Sequence, residues 1–158
     1  MIYLGVDPGM DGAVAFLGDH SAQVYDMADR EIVLRLLREH PGDITLAMIE
    51  DCHAFPKINA TTNFKMGCAL AFWEGVFAAL LIPCEKVAAG KWQRTICGAL
   101  PKGRPAKKKA IAEWAARQWP GIELRGPRGA VKDGRSDALC IARYGQRLRL
   151  AAKAAGGE

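Results

Sequence analysis

Four carboxylates stand where this chain changes direction. Asp7 closes an apolar run, Ile2–Asp7, just before Pro8-Gly9, and Glu50 closes another, Ile44–Glu50. Asp137 falls in the first turn of the last long helical segment, and Asp133 shares its helical face if the helix already includes it. If the strands ending at Asp7 and Glu50 are parallel neighbours, both acids emerge at one edge of a sheet. A helix entering there brings Asp137 beside them. Clustered carboxylates repel and raise one another's pKa. A hard divalent cation removes that cost, and Mg²⁺ takes oxygen ligands while keeping waters, which leaves room for a phosphate. Two such ions, about 3.5–4 Å apart, stabilise both the attacking and the leaving oxygen in phosphodiester cleavage. Singly, each acid has a plainer role. Asp7 suits a turn, Glu50 a strand-end surface, Asp137 a helix start favoured by the macrodipole, and Asp133 an N-cap. The three strand-end and helix-start acids share a role only in one arrangement.

The elements that would position them follow from periodicity and turn chemistry. Ile2–Asp7, Ala13–Leu17 and Ala22–Met27 read as strands of an antiparallel meander. Arg30–Glu39 has helical apolar spacing, Ile44–Glu50 is a fourth strand, and 51–62 reads as a loop. Asn63–Leu81 is a helix apolar nearly all round, expected to be buried on more than one side. Its run Met66–Ile82 is broken by Glu74 and Gly75 and is slightly short to span a bilayer, so no membrane partner is expected. Pro83–Ala88 is a fifth strand, 90–105 is irregular, Ala106–Gln118 is an amphipathic helix, and 121–132 is a loop. Ser136–Ala152 is the last helix. The chain thus reads as one α/β domain over 1–152, a mixed five-stranded sheet flanked by helices, with 153–158 a mobile tail.

Bulk properties agree with an ordinary globular domain: 158 residues, 50% hydrophobic and 25% charged. A net charge of +5 favours an anionic partner such as nucleic acid. Five cysteines, an odd number with no CxxC pair, argue against a disulfide framework or zinc site and for reduced thiols in the cytoplasm. An acidic residue as early as Asp7 argues against a signal peptide.

Gly5-Val6-Asp7-Pro8-Gly9 with Gly12 resembles the opening motif of RuvC-type Holliday-junction resolvases. Ile49-Glu50 resembles that family's second acid, Lys65-Met66-Gly67 the segment after it, and Ser136-Asp137-Ala138-Leu139 with Ile141-Ala142 its final acidic helix. The order and separations agree over about residues 1–145. The resemblance implies an RNase H-like fold, a homodimer, and Mg²⁺ or Mn²⁺ dependence with Asp7, Glu50, Asp133 and Asp137 as catalytic metal ligands. It also implies paired symmetric nicks across a four-way DNA junction, with no small-molecule cofactor. There is one departure. The family often places its fourth ligand three residues before the last aspartate, where this chain has Gly134; Asp133 is one further back. That Asp-x-x-x-Asp spacing looks more like a phage or prophage branch than a housekeeping enzyme of the bacterial cytoplasm.

Lys86–Ala112 holds eight basic residues and no acid. Phosphate contacts of this kind supply affinity without sequence information. By similarity to the family, Lys91, Arg94, Lys107 and Lys108 would face the DNA strands near the metals. A triple lysine at a helix start opposes the helix dipole, and a bound phosphate offsets that. Arg125, Arg128, Lys132 and Arg135 add a second basic stretch beside the last acids. Phe55, with Lys57 beside it, sits where the family inserts an aromatic between junction bases; packing on its own loop is the plain alternative. His53 reads as a loop histidine. Phe72, Trp73 and Phe77 read as core or dimer contacts, and Trp92, Trp114 and Trp119 as packing. Two other functions use the same residues: a flap, fork or general DNA nuclease of the same fold, and a non-catalytic junction-binding protein. A sugar-kinase or actin-like ATPase also opens on a Gly-x-Asp-x-Gly turn, but needs two domains and more chain.

Overall fold

The computed structural model describes residues 1–53, 56, 58–126 and 129–156. Five strands, β1 (Ile2–Asp7), β2 (Ala13–Leu17), β3 (Ala22–Asp26), β4 (Ile44–Glu50) and β5 (Cys84–Val87), form one sheet in the order β3-β2-β1-β4-β5. The first three pair antiparallel, as expected of a meander, whereas β4 lies parallel to β1 and β5 parallel to β4. Parallel pairing needs a crossover, and helices α1 (Arg30–Glu39) and α2 (Ala60–Ala79) supply two of them. The remaining helices are α3 (Ala89–Cys97), α4 (Arg104–Gln118) and α5 (Asp133–Ala154).

Strand side chains alternate between two cores. Tyr3, Ala13, Ala15, Leu46 and Met48 face α3, α4 and α5, while Leu4, Val6, Val14, Ala47 and Ile49 face α1 and α2. Gly5 belongs to the first row. A Cβ there would lie 2.0 Å from the Ala138 carbonyl oxygen and 2.3 Å from the Ala142 nitrogen. Only glycine lets the backbones of β1 and α5 touch at this point.

Four expectations are corrected. Residues 90–105 are not irregular throughout, because α3 occupies Ala89–Cys97 and buries Trp92 and Ile96 one turn apart. Helix α4 starts at Arg104, with Pro105 in its first turn, where a missing N–H costs nothing. Helix α5 starts at Asp133 rather than Ser136 and runs on to Ala154. Helix α2 starts at Ala60, capped by the Asn59 side chain accepting from the Thr62 N–H at 2.8 Å, and is not buried on several sides. Only Trp73 and Phe77 are fully buried, while Phe64 is 72% exposed. Among the described residues no helix is long and apolar enough to cross a membrane.

Candidate active site

Period-two alternation decides where the first two acids point. Asp7 continues the row Tyr3, Gly5 that faces α5, and Glu50 continues Leu46, Met48 on the same face. The parallel register pairs Val6 with Ile49, so one step further sets Asp7 beside Glu50 at the carboxyl end of adjacent strands. Each carboxylate has a protein donor. Asp7 Oδ1 accepts from the Gly9 N–H at 3.1 Å, and Glu50 Oε2 accepts from the Trp92 indole N–H at 2.8 Å. Trp92 therefore does more than pack: it is fully buried and also orients an acid.

The start of α5 brings the other two. Because the helix begins at Asp133, Asp133 and Asp137 sit four residues apart on one face. Gly134 lies against the turn after β1. A Cβ on it would come within 2.4 Å of the Asp11 carbonyl oxygen and 2.6 Å of Gly12 Cα. No side chain fits there, so position 134 cannot supply an acid in this fold, and the nearest one is Asp133. Its Oδ2 accepts from Lys108 Nζ of α4. Asp7, Glu50, Asp133 and Asp137 all line one pocket of about 690 Å³.

The pocket's electrostatics carry the mark of crowded acids. Burial, then the charges of Asp7, Glu50 and Asp133, push Asp137 up to about 8. Burial raises Glu50 to about 6, against the pull of the Trp92 hydrogen bond and with a further push from Asp7. Asp7 is raised by burial as well, opposed by the Gly9 N–H and by Lys108. Four oxygen donors that repel one another are the donor type a hard divalent cation takes, so in type they fit one. Among the described residues, no three ligating side chains stand at the spacing of a ready-made metal site. Three of the four carboxylates are drawn to Gly9, Trp92 and Lys108 instead.

Of the basic residues assigned to the DNA strands by resemblance, Lys108 lines the pocket, whereas Lys91, Arg94 and Lys107 do not, and Lys132 of the second basic stretch lines it too. Lys65 and Arg104 also do. Lys65 was legible only as part of a motif, and it lines the pocket together with the turn after β1. The second basic stretch is largely structural. Arg135 grips Asp26 through Nε at 2.7 Å and Nη2 at 3.0 Å, Lys132 Nζ lies 3.6 Å from the same carboxylate, and Arg125 bonds the Gly129 carbonyl. His53 is exposed, 3.3 Å from Asp51, and outside the pocket. Phe55, Lys57 and Arg128 lie outside the described residues.

A mixed sheet in this order, flanked by helices and carrying acids at the ends of its two central strands, is the RNase H-like α/β fold. Within it, the chain shares the form of the RuvC Holliday junction resolvases. Thermus thermophilus RuvC in complex with Holliday junction substrate superposes with a TM-score of 0.63 at 15% identity, covering 94% of this chain and 96% of that one. A further structure of Thermus thermophilus RuvC gives 0.62 at 16% identity over 96% and 97%. No sequence-family model matches the chain, and neither does any curated protein.

Proposed function

We propose that this chain is a metal-dependent endonuclease that resolves four-way DNA junctions by paired symmetric nicks, working as a homodimer. The observation that carries the reading is the convergence of Asp7, Glu50, Asp133 and Asp137 in one pocket that Lys65, Arg104, Lys108 and Lys132 also line. Acids close to a phosphate weaken binding unless a cation intervenes, so a purely DNA-holding surface has no use for them. When bound there, Mg²⁺ or Mn²⁺ supplies Lewis acidity and neutralises charge at the scissile phosphate.

The chain's own residues do the rest. The four carboxylates would hold the ions, while the Gly9 N–H fixes Asp7 and the Trp92 indole fixes Glu50. Lys65 and Arg104 attract the phosphate backbone without reading bases. The exposed apolar side of α2, with Phe64 and Phe72, is the surface a second copy would cover. Two copies related by a two-fold axis match the symmetry of a four-way junction.

The test is cleavage and binding measured side by side. Asp7→Asn is expected to abolish nicking of a four-way junction while leaving junction affinity within about threefold at fixed salt, since affinity comes mainly from phosphate contacts. Wild-type cutting by that variant would end the metal-nuclease reading. Equal cleavage of flaps, forks and plain duplex, or single rather than paired nicks, would move the substrate away from junctions.

A further inference from the structure

We infer that Lys108 is a built-in counter-ion of the acidic pocket, which a divalent cation must displace from Asp133 before all four carboxylates are free. The inference rests on the metal-dependent reading above and deepens it. Four basic side chains line the pocket, and they differ in what they hold. Lys132 is turned to Asp26. Among the described residues, Lys65 and Arg104 bond none of the four acids, whereas Lys108 Nζ is bonded to Asp133 Oδ2.

Both ends of this pair are fixed by packing. Lys108 projects from α4, whose Ile111 and Ala112 are buried one turn on and Ala115 two turns on. Asp133 is held at its position because its neighbour Gly134 lies against the backbone of the turn after β1. The ammonium therefore stands where a cation's charge is needed and answers part of the acids' repulsion. A metal ion taking Asp133 breaks that pair. The freed ammonium stays in the same pocket, tethered by its helix, where a DNA phosphate can take it. Loading of the cation and capture of the phosphate are then linked, and linkage of this kind is reciprocal.

The experiment reads metal binding without DNA and without turnover. Free Mn²⁺ is followed by electron paramagnetic resonance during titration of the intact protein at constant ionic strength. Lys108→Met is expected to tighten Mn²⁺ binding about tenfold, the size of a moderate coupling between two ligands of one site. Lys65→Met removes one charge from the same pocket without breaking a bond to an acid, and is expected to change affinity by no more than about twofold in screening salt. In an Asp133→Asn background, Lys108→Met should fall to the level of Lys65→Met. Lys108→Gln is carried alongside as a second variant, with thermal melts to show that each is folded. Equal tightening by the two lysine variants, or a Lys108 effect that persists without the Asp133 charge, would overturn the counter-ion. Failure of the wild type to take up Mn²⁺, or equal uptake by Asp7→Asn, would instead strike down the metal-dependent reading, and this inference with it.

Discussion

The two longest helices invert what their compositions suggest. Helix α2 carries two charged residues, Lys65 and Glu74, in 20, yet only Trp73 and Phe77 are fully buried. Helix α5 carries seven charged residues in 22, yet an unbroken stretch from Ala138 to Ala142 is buried. The difference lies in what each helix meets. Helix α5 crosses the middle of the sheet, and Gly5 lets its backbone come against β1. Helix α2 lies toward the edge strand β5 on the other face and reaches the core through its two buried aromatic rings, stacked 5.8 Å apart. Apolar content says that a helix wants cover, whereas small residues at the contact decide how deeply it is covered.

That comparison can be broken at three points, in falling order of effect. Gly5→Ala forces a methyl into the α5 backbone, and we expect a loss of about 3 kcal/mol or more, enough to cost much of the folded population. Urea denaturation of the variant with an unchanged midpoint would show that α5 is not seated as described. Asp137→Asn probes the charge that this depth of seating confines. The carboxyl titrates near 3.8 when free and near 8 in the fold, so between those values the folded state holds the extra proton. Stability of the metal-free wild type therefore falls as pH rises across that window, and the asparagine variant escapes the fall. At about pH 8 the variant should be the more stable by on the order of 2 kcal/mol, with the gap closing toward about pH 4. Denaturation curves across the range, with and without Mg²⁺, test this; added Mg²⁺ should restore the wild type alone. The smallest effect belongs to α2. A Cβ on Gly75 meets nothing within 4 Å, so Gly75→Ala should gain up to about 1 kcal/mol from helix propensity. A loss there, growing with protein concentration, would mean a second copy already lies against that side.

Much of this was legible from residue order. The strand ends at Asp7 and Glu50 follow from apolar runs that stop on an acid, and their convergence follows once β1 and β4 pair in parallel. The start of α5 at Asp133 is unmarked in the sequence, because Lys132 offers no side-chain cap. Helix α3 was missed for a similar reason: Ala88 is a poor cap, and Gly90 and a nine-residue length blur the period, although Trp92 and Ile96 one turn apart, and Gly98 at φ 75° just beyond, were usable marks. The hydrogen bond from Trp92 to Glu50 joins residues 42 apart and leaves no trace in local pattern. Burial of α2 was overestimated because periodicity describes the helix and not its neighbour.

The tight seat of Gly134 also limits which residues the start of α5 can accept. An acid placed at that position would wedge a side chain into the Asp11–Gly12 backbone. A neighbouring loop would have to lengthen first. A side chain at 134 and the present turn after the first strand thus exclude one another.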